Sequence, residues 1–212
     1  MTMKRVLCYG DSNTWGYISG TNHQRYGESQ RWTKLLQKKL GESFEVIEEG
    51  LCSRTLCSED DGAGREGRNG YPYLKPCLET HDKVDVVVLM LGTNELKVRF
   101  DNSAEDILKM FDKYVRFIGS FQSSIDNSVP ALIVSGLPVL IDKPADSEEE
   151  DDFKGAGEKS KAVNVLYERY CKENGLVYVN NDDLATGIDG VHLTAESHAV
   201  LSERLAKVLK EM

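Results

Sequence analysis

Five residues spread along the chain have the types and spacing that ester chemistry uses: Ser12, Gly50, Asn94, Asp189 and His192. Ser12 stands in Gly10-Asp11-Ser12-Asn13-Thr14-Trp15-Gly16, directly after the apolar run Arg5-Val6-Leu7-Cys8-Tyr9. A strand that ends in a glycine turn leaves such a serine at the sheet edge, with its hydroxyl and backbone N–H unoccupied. A nucleophile needs that placement, and so does a loop that cradles phosphate at a helix start. The stretch Asp189-Gly190-Val191-His192 favours the first use. A histidine titrates in the range where it can take a serine proton, and an aspartate one turn away can fix its tautomer. An ester attacked by Ser12 becomes a tetrahedral oxyanion that wants preplaced donors. The candidates are the N–H groups of Ser12 and Gly50 and the side-chain amide of Asn94, and losing one such donor costs about 3 kcal/mol of transition-state stabilisation.

These residues must be positioned by the elements between them. The first strand is expected over residues 4–9. Trp32, Leu35, Leu36 and Leu40 recur at helical spacing before Gly41, and Phe44 to Ile47 reads as a second strand that runs on to Gly50. Residues 51–70, with four glycines among charges, predict a long irregular loop, and such loops are often functional. A short helix interrupted by Pro76 is expected over residues 71–81. Residues 84–91 are nearly continuous β-branched and aliphatic side chains, the pattern of a strand buried on both faces, and they lead into Gly92-Thr93-Asn94-Glu95. Ser103 and Asp106 form a capping box for the next helix. A fourth strand at 131–134, a helix over about 157–174, a fifth strand at 176–179 and a helix capped by Thr194 complete the chain.

Strand and helix thus alternate five times, which predicts an α/β protein with a parallel sheet covered on both faces. One domain over residues 1–212 is expected. Ligands of open α/β sheets bind outside the carboxyl ends of the strands, so Ser12, Gly50, Asn94, Asp189 and His192 are expected to meet on one edge.

Composition narrows the function classes. The net charge of −9 argues against a nucleic-acid partner. No apolar run approaches the roughly 20 residues that cross a bilayer, and no leader with a cleavage site is evident. A cytoplasmic protein with no membrane partner is therefore expected. Cys8, Cys52, Cys57, Cys77 and Cys171 are odd in number without paired spacing, and read as reduced thiols rather than a metal site. Asp146 to Asp152 is a strongly acidic run and reads as a solvated loop.

The blocks GDSN at 10–13, Gly50 in EEGLCSRT, GTNE at 92–95 and DGVH at 189–192 together resemble the SGNH hydrolases, also called GDSL esterases. Within that family RVLCYGDSNTWGY, RWTKLL, FEVIEEGLCSRT and LMLGTNELK are most similar to the small intracellular esterases and acyltransferases of the mycobacterial aryl-esterase type. The resemblance covers essentially the whole chain. It implies a three-layer αβα sandwich, flavodoxin-like, with strand order 2-1-3-4-5. It further implies Ser12 as nucleophile, His192 as base, Asp189 as its partner, and Ser12, Gly50 and Asn94 as the oxyanion hole. Two departures stand out: Asn13 where the family usually has leucine, and Glu95 where aspartate usually follows the asparagine. Asn13, Trp15 and Val191 are expected to border the substrate pocket.

The reading is a serine esterase acting on small carboxylic esters without metal or cofactor, with transfer of the acyl group to an alcohol as a further option. A flavodoxin-like flavin- or phosphate-binding protein is the alternative for the Ser12 loop, and a catalytically silent interaction module a second. Arg54 is expected to bridge loops or subunits. His23, His81 and His198 have no partner at a useful spacing and are expected on the surface or in packing. A homo-oligomer is expected, with loop 51–70 or the acidic segment 142–156 as interface or lid.

Overall fold

A computed structural model describes residues 3–142 and 152–212. Five parallel strands form one sheet in the order β2-β1-β3-β4-β5. They are β1 (Lys4–Gly10), β2 (Phe44–Gly50), β3 (Val86–Met90), β4 (Ala131–Ser135) and β5 (Val177–Val179). The helices are α1 (Ser12–Trp15), α2 (Trp32–Leu40), α3 (Gly70–Thr80), α4 (Ala104–Ser120), α5 (Ala156–Glu173) and α6 (Ala195–Glu211).

The layers follow from strand periodicity. Successive residues of a strand face opposite sides, so Leu7 and Tyr9 of β1 enter one core while Val6 and Cys8 enter the other. The first core receives Leu74 of α3, Phe111 of α4 and Tyr167 of α5. The second receives Trp32 and Leu36 of α2 and Leu201 and Leu205 of α6. All five residues of β3 are buried, as its unbroken apolar run requires. The result is the αβα sandwich and strand order that the resemblance implied.

Local signals account for most boundaries. Ser103 and Asp106 make the reciprocal capping box at the start of α4, and the Thr194 hydroxyl accepts the Ser197 N–H to open α6. One expectation is corrected: Pro76 does not interrupt α3, which runs unbroken from Gly70 to Thr80. Pro72 and Pro76 both lie on its exposed face. The carbonyl that the missing Pro76 N–H leaves open is there within reach of water, and Leu74, Cys77 and Leu78 hold the opposite face in the core.

Candidate active site

The carboxyl ends of β1, β2 and β3 deliver three of the five residues to one edge. Between Gly10 and Ser12 the chain passes from strand to helix in two residues. Asp11 caps α1 by accepting the Asn13 N–H at 2.9 Å, and its burial pushes the carboxyl pKa up. The first N–H of a helix has no partner within it, so the Ser12 N–H is left for a ligand. Two glycines make the approach possible. A Cβ on Gly10 would lie 2.1 Å from the Thr14 hydroxyl oxygen, and one on Gly50 would lie 2.2 Å from the Trp15 nitrogen. Gly50 stands opposite Gly10 in the β1–β2 register.

The turn before α6 closes on this edge. The Ser12 hydroxyl lies 2.9 Å from His192 Nε2, and His192 Nδ1 lies 2.7 Å from Asp189 Oδ2. The carboxylate beside Nδ1 places the imidazole proton there, leaving Nε2 to accept from Ser12. Asp189 Oδ1 accepts the N–H groups of Val191 and His192, both at 3.0 Å. Burial raises the Asp189 pKa, but the His192 ring and those two N–H groups outweigh it and hold the carboxyl well below the usual range. Tyr17 stacks on the imidazole with ring centroids 4.2 Å apart.

Asn94 sits in a tight turn, Thr93–Leu96, just beyond β3. Its side-chain NH₂ gives one hydrogen to the Arg54 carbonyl at 3.0 Å, and a primary amide has a second to offer. Ser12, Asn94, Val191 and His192 line a common cavity of about 420 Å³. Gly50 lines a neighbouring cavity, together with Leu51, Arg54 and Tyr73.

The departures from the family pattern have structural uses. Asn13 does not line the Ser12 cavity. It is buried, its Oδ1 accepts the Leu193 N–H at 2.9 Å, and its amide donates to the Val191 carbonyl at 3.3 Å. The clamp therefore holds the residues on both sides of His192. Trp15 is also outside the cavity lining and packs against His23 and Tyr17. Val191 lines the cavity beside Ser12. Glu95 is wholly buried and accepts from the N–H groups of Cys57 (2.9 Å) and Ser58 (3.2 Å), the Ser58 hydroxyl and the Asn102 amide (2.9 Å). It pins loop 51–70, which contributes Cys52, Ser53 and Arg68 to the cavity wall.

Tyr17, which the sequence leaves open between core and pocket wall, lines the cavity, and so do Lys97 and Arg68, to which the sequence assigns no role. The signal for Arg68 was the density of charge and glycine in loop 51–70, and Tyr17 and Lys97 stand at the ends of the blocks that carry Ser12 and Asn94. Arg54 bridges strand ends: it is buried, donates to the carbonyls of Gly10 (2.9 Å) and Glu49, and lies 4.2 Å from the Tyr9 ring centroid. His23 is exposed, packs against Trp15 and Tyr17, and lines the cavity. His81 does have a partner, Glu49 at 2.8 Å, while His198 is a packing residue in the core. Glu48, beside the oxyanion candidate Gly50, is engaged by Arg31 and Thr33. Burial opposes those contacts but they prevail and hold its pKa near 2.

Among the described residues, Glu49, Cys77 and His81 offer ligand atoms within 4.8 Å of one another. Burial pushes the Cys77 thiol up to about 12, and His81 and Glu49 already contact each other, so packing accounts for the group. Residues 143–151 of the acidic segment lie outside the described residues. No helix among the described residues is long and apolar enough to cross a membrane.

The profile of the GDSL-like lipase/acylhydrolase family matches residues 8–200. The chain belongs to this family of SGNH hydrolases and is a carboxylic ester hydrolase of that type, which decides against the flavin-binding alternative. Among solved structures it is similar to the aryl esterase of M. smegmatis in its inhibitor-bound form. The two share 31% identity over 98% of this chain and 99% of that one, with a TM-score of 0.89. It is also similar to Est24, a carbohydrate acetylesterase from Sinorhizobium meliloti, at 32% identity over 98% of this chain and 99% of that one and a TM-score of 0.89. A putative arylesterase from Agrobacterium tumefaciens str. C58 shares 30% identity over 99% of both chains, with a TM-score of 0.87. No curated protein matches the sequence.

Proposed function

We propose that the protein hydrolyses small, short-acyl esters, such as acetyl or aryl esters, through an acyl-enzyme on Ser12. The observation that carries this reading is the continuous hydrogen-bonded chain from Asp189 through His192 to Ser12 at the wall of a cavity. In the first half-reaction Ser12 Oγ attacks the carbonyl carbon while its proton passes to His192 Nε2. Asp189, held anionic, stabilises the imidazolium. The oxyanion is received by the N–H groups of Ser12 and Gly50 and the second amide hydrogen of Asn94. Collapse expels the alkoxide or phenoxide, which takes the proton from Nε2. Water then repeats the sequence on the acyl-Ser12 ester, releasing the acid and restoring the serine.

An alcohol in place of water would make the second step an acyl transfer, by the same proton path. A cavity of about 420 Å³ suits an acetyl group with a sugar or aromatic alcohol, the classes named for the similar esterases.

The test is fluorophosphonate labelling of wild type beside Ser12→Ala, read by intact mass, with p-nitrophenyl acetate turnover on both. One adduct per chain, absent in the variant together with turnover, is the expected result. A folded wild-type chain that takes no adduct refutes the assignment of Ser12.

A further inference from the structure

Lys97 follows Asn94 by three residues and lines the Ser12 cavity, yet only 4% of it is exposed. A lysine so buried normally has a carboxylate or carbonyls around its ammonium, because an unpaired charge out of water is costly. Here, among the described residues, the ammonium makes no hydrogen bond and no ion pair, and its one close feature is the Phe153 ring, with centroid 5.6 Å away. The nearby acids are committed elsewhere. Asp60 is bonded to Arg65 (3.2 Å) and Arg99 (2.8 Å), and Asp152 to Arg99 (2.7 Å). A second cation, Arg68, lines the same cavity, has no ion pair among the described residues, and gives Nη1 to the Glu66 carbonyl. Among the described residues, two cations without an ion pair, Lys97 and Arg68, thus line the cavity of the nucleophile, beside an Asp152 that Arg99 holds.

We propose that Lys97, supported by Arg68, is an anion subsite, and that the substrate is an ester bearing a carboxylate of its own close to the scissile bond. This rests on the esterase reading above and narrows it from small esters to anionic ones. Desolvation, with Arg99 and Arg65 adding to it, brings the ammonium pKa down to about 8, against the pull of Asp152 and Asp60. The group is charged at neutral pH and, among the described residues, has no ion-pair partner, a place that a bound carboxylate would take. An ammonium is a compact point charge on a flexible stem, which suits a carboxylate arriving with a mobile substrate. The charge serves selection, because a carboxylate pairs with it and a neutral isostere does not.

The experiment compares kcat/KM for two matched pairs. For the acyl half the pair is p-nitrophenyl hemisuccinate and neutral p-nitrophenyl pentanoate; for the alcohol half it is p-acetoxybenzoate and p-acetoxytoluene. Intrinsic reactivity cancels when the anionic-to-neutral ratio is compared between wild type and Lys97→Met, whose apolar side chain fills the same space. The expected result is a fall in that ratio of about tenfold or more for one pair, the size of one lost charge-assisted contact. The pair that responds identifies which half of the ester carries the carboxylate. A smaller fall is expected for Arg68→Gln, a change at a half-buried position of the cavity wall that also serves if Lys97→Met does not fold. Ratios unchanged within twofold in both pairs overturn the proposal. If Ser12 takes no fluorophosphonate, the esterase reading has failed separately. Calorimetric titration with succinate, and with neutral succinamide as control, then decides the subsite: wild type should bind only the dianion, and equal binding or none refutes it.

Discussion

Replacing Glu95 by alanine should cost both stability and activity, and the structure sets the scale. The wholly buried carboxylate satisfies two backbone N–H groups, Cys57 and Ser58, besides the Ser58 hydroxyl and the Asn102 amide. Each donor stranded by the change costs about 1–3 kcal/mol. Cys57 and Ser58 are half-buried, so water recovers part of this, and a total near ~3 kcal/mol is expected. For a chain of this length that is a fall of roughly 9 °C in Tm. Glu95→Gln keeps one oxygen for the two N–H groups but turns its own NH₂ toward Asn102, so about a third of that loss is expected. The loop so released carries the cavity residues Cys52, Ser53 and Arg68, and Glu95 adjoins Asn94. A ten- to hundredfold fall in kcat/KM is expected from an ångström of slack, roughly. Thermal unfolding followed by fluorescence, with p-nitrophenyl acetate kinetics, reads both effects. Alanine and glutamine variants that melt within about 2 °C of wild type would refute the anchoring argument. Equal losses in the two would show that the charge matters rather than the acceptor.

Three further outcomes follow from the same geometry. Asn13→Leu, which restores the family's usual residue, should destabilise by about 2 kcal/mol in urea unfolding because it strands the buried Leu193 N–H. It should also lower kcat, since the clamp straddles His192; unaltered kcat would separate Asn13 from the site. His198 is buried and its pKa is pushed down to about 3, first by desolvation and then by the His192 charge. The unfolded chain therefore binds a proton near pH 6.5 that the folded one refuses, so this group removes about 2 kcal/mol of stability between pH 7 and pH 5. His198→Asn should flatten that part of the urea-stability profile, and an unchanged slope would locate the acid sensitivity elsewhere. Glu48 is also shifted down, so its contribution too is lost on acidification, but in a lower window. Its stabilising contribution is complete above about pH 4.5 and is lost as pH falls through about 2, so Arg31→Met should make unfolding less acid-dependent only in that lower window.

The sequence by itself determined the layers, because alternating strand residues such as Leu7 and Val6 must face opposite sides of a sheet, and helical repeats such as Trp32, Leu36 and Leu40 must cover it. It also determined the ends of elements that carry their own signal, as at Ser103 and Thr194, where a side chain satisfies an orphan N–H within three residues. Ser12, Asp189 and His192 were legible because short-range spacing and strand ends constrain them. Other features depend on groups distant in sequence. Asn13 became a clamp and Glu95 an anchor because a polar side chain, once buried, is defined by whichever donors reach it, and these come from 180 and 38 residues away. Pro76 stayed helical because its face met solvent, and Lys97 has no ion pair among the described residues because Arg65 and Arg99 hold Asp60 and Asp152. Periodicity is written locally and can be read along the chain. Burial, and the competition of polar groups for partners, exists only once the chain has closed on itself.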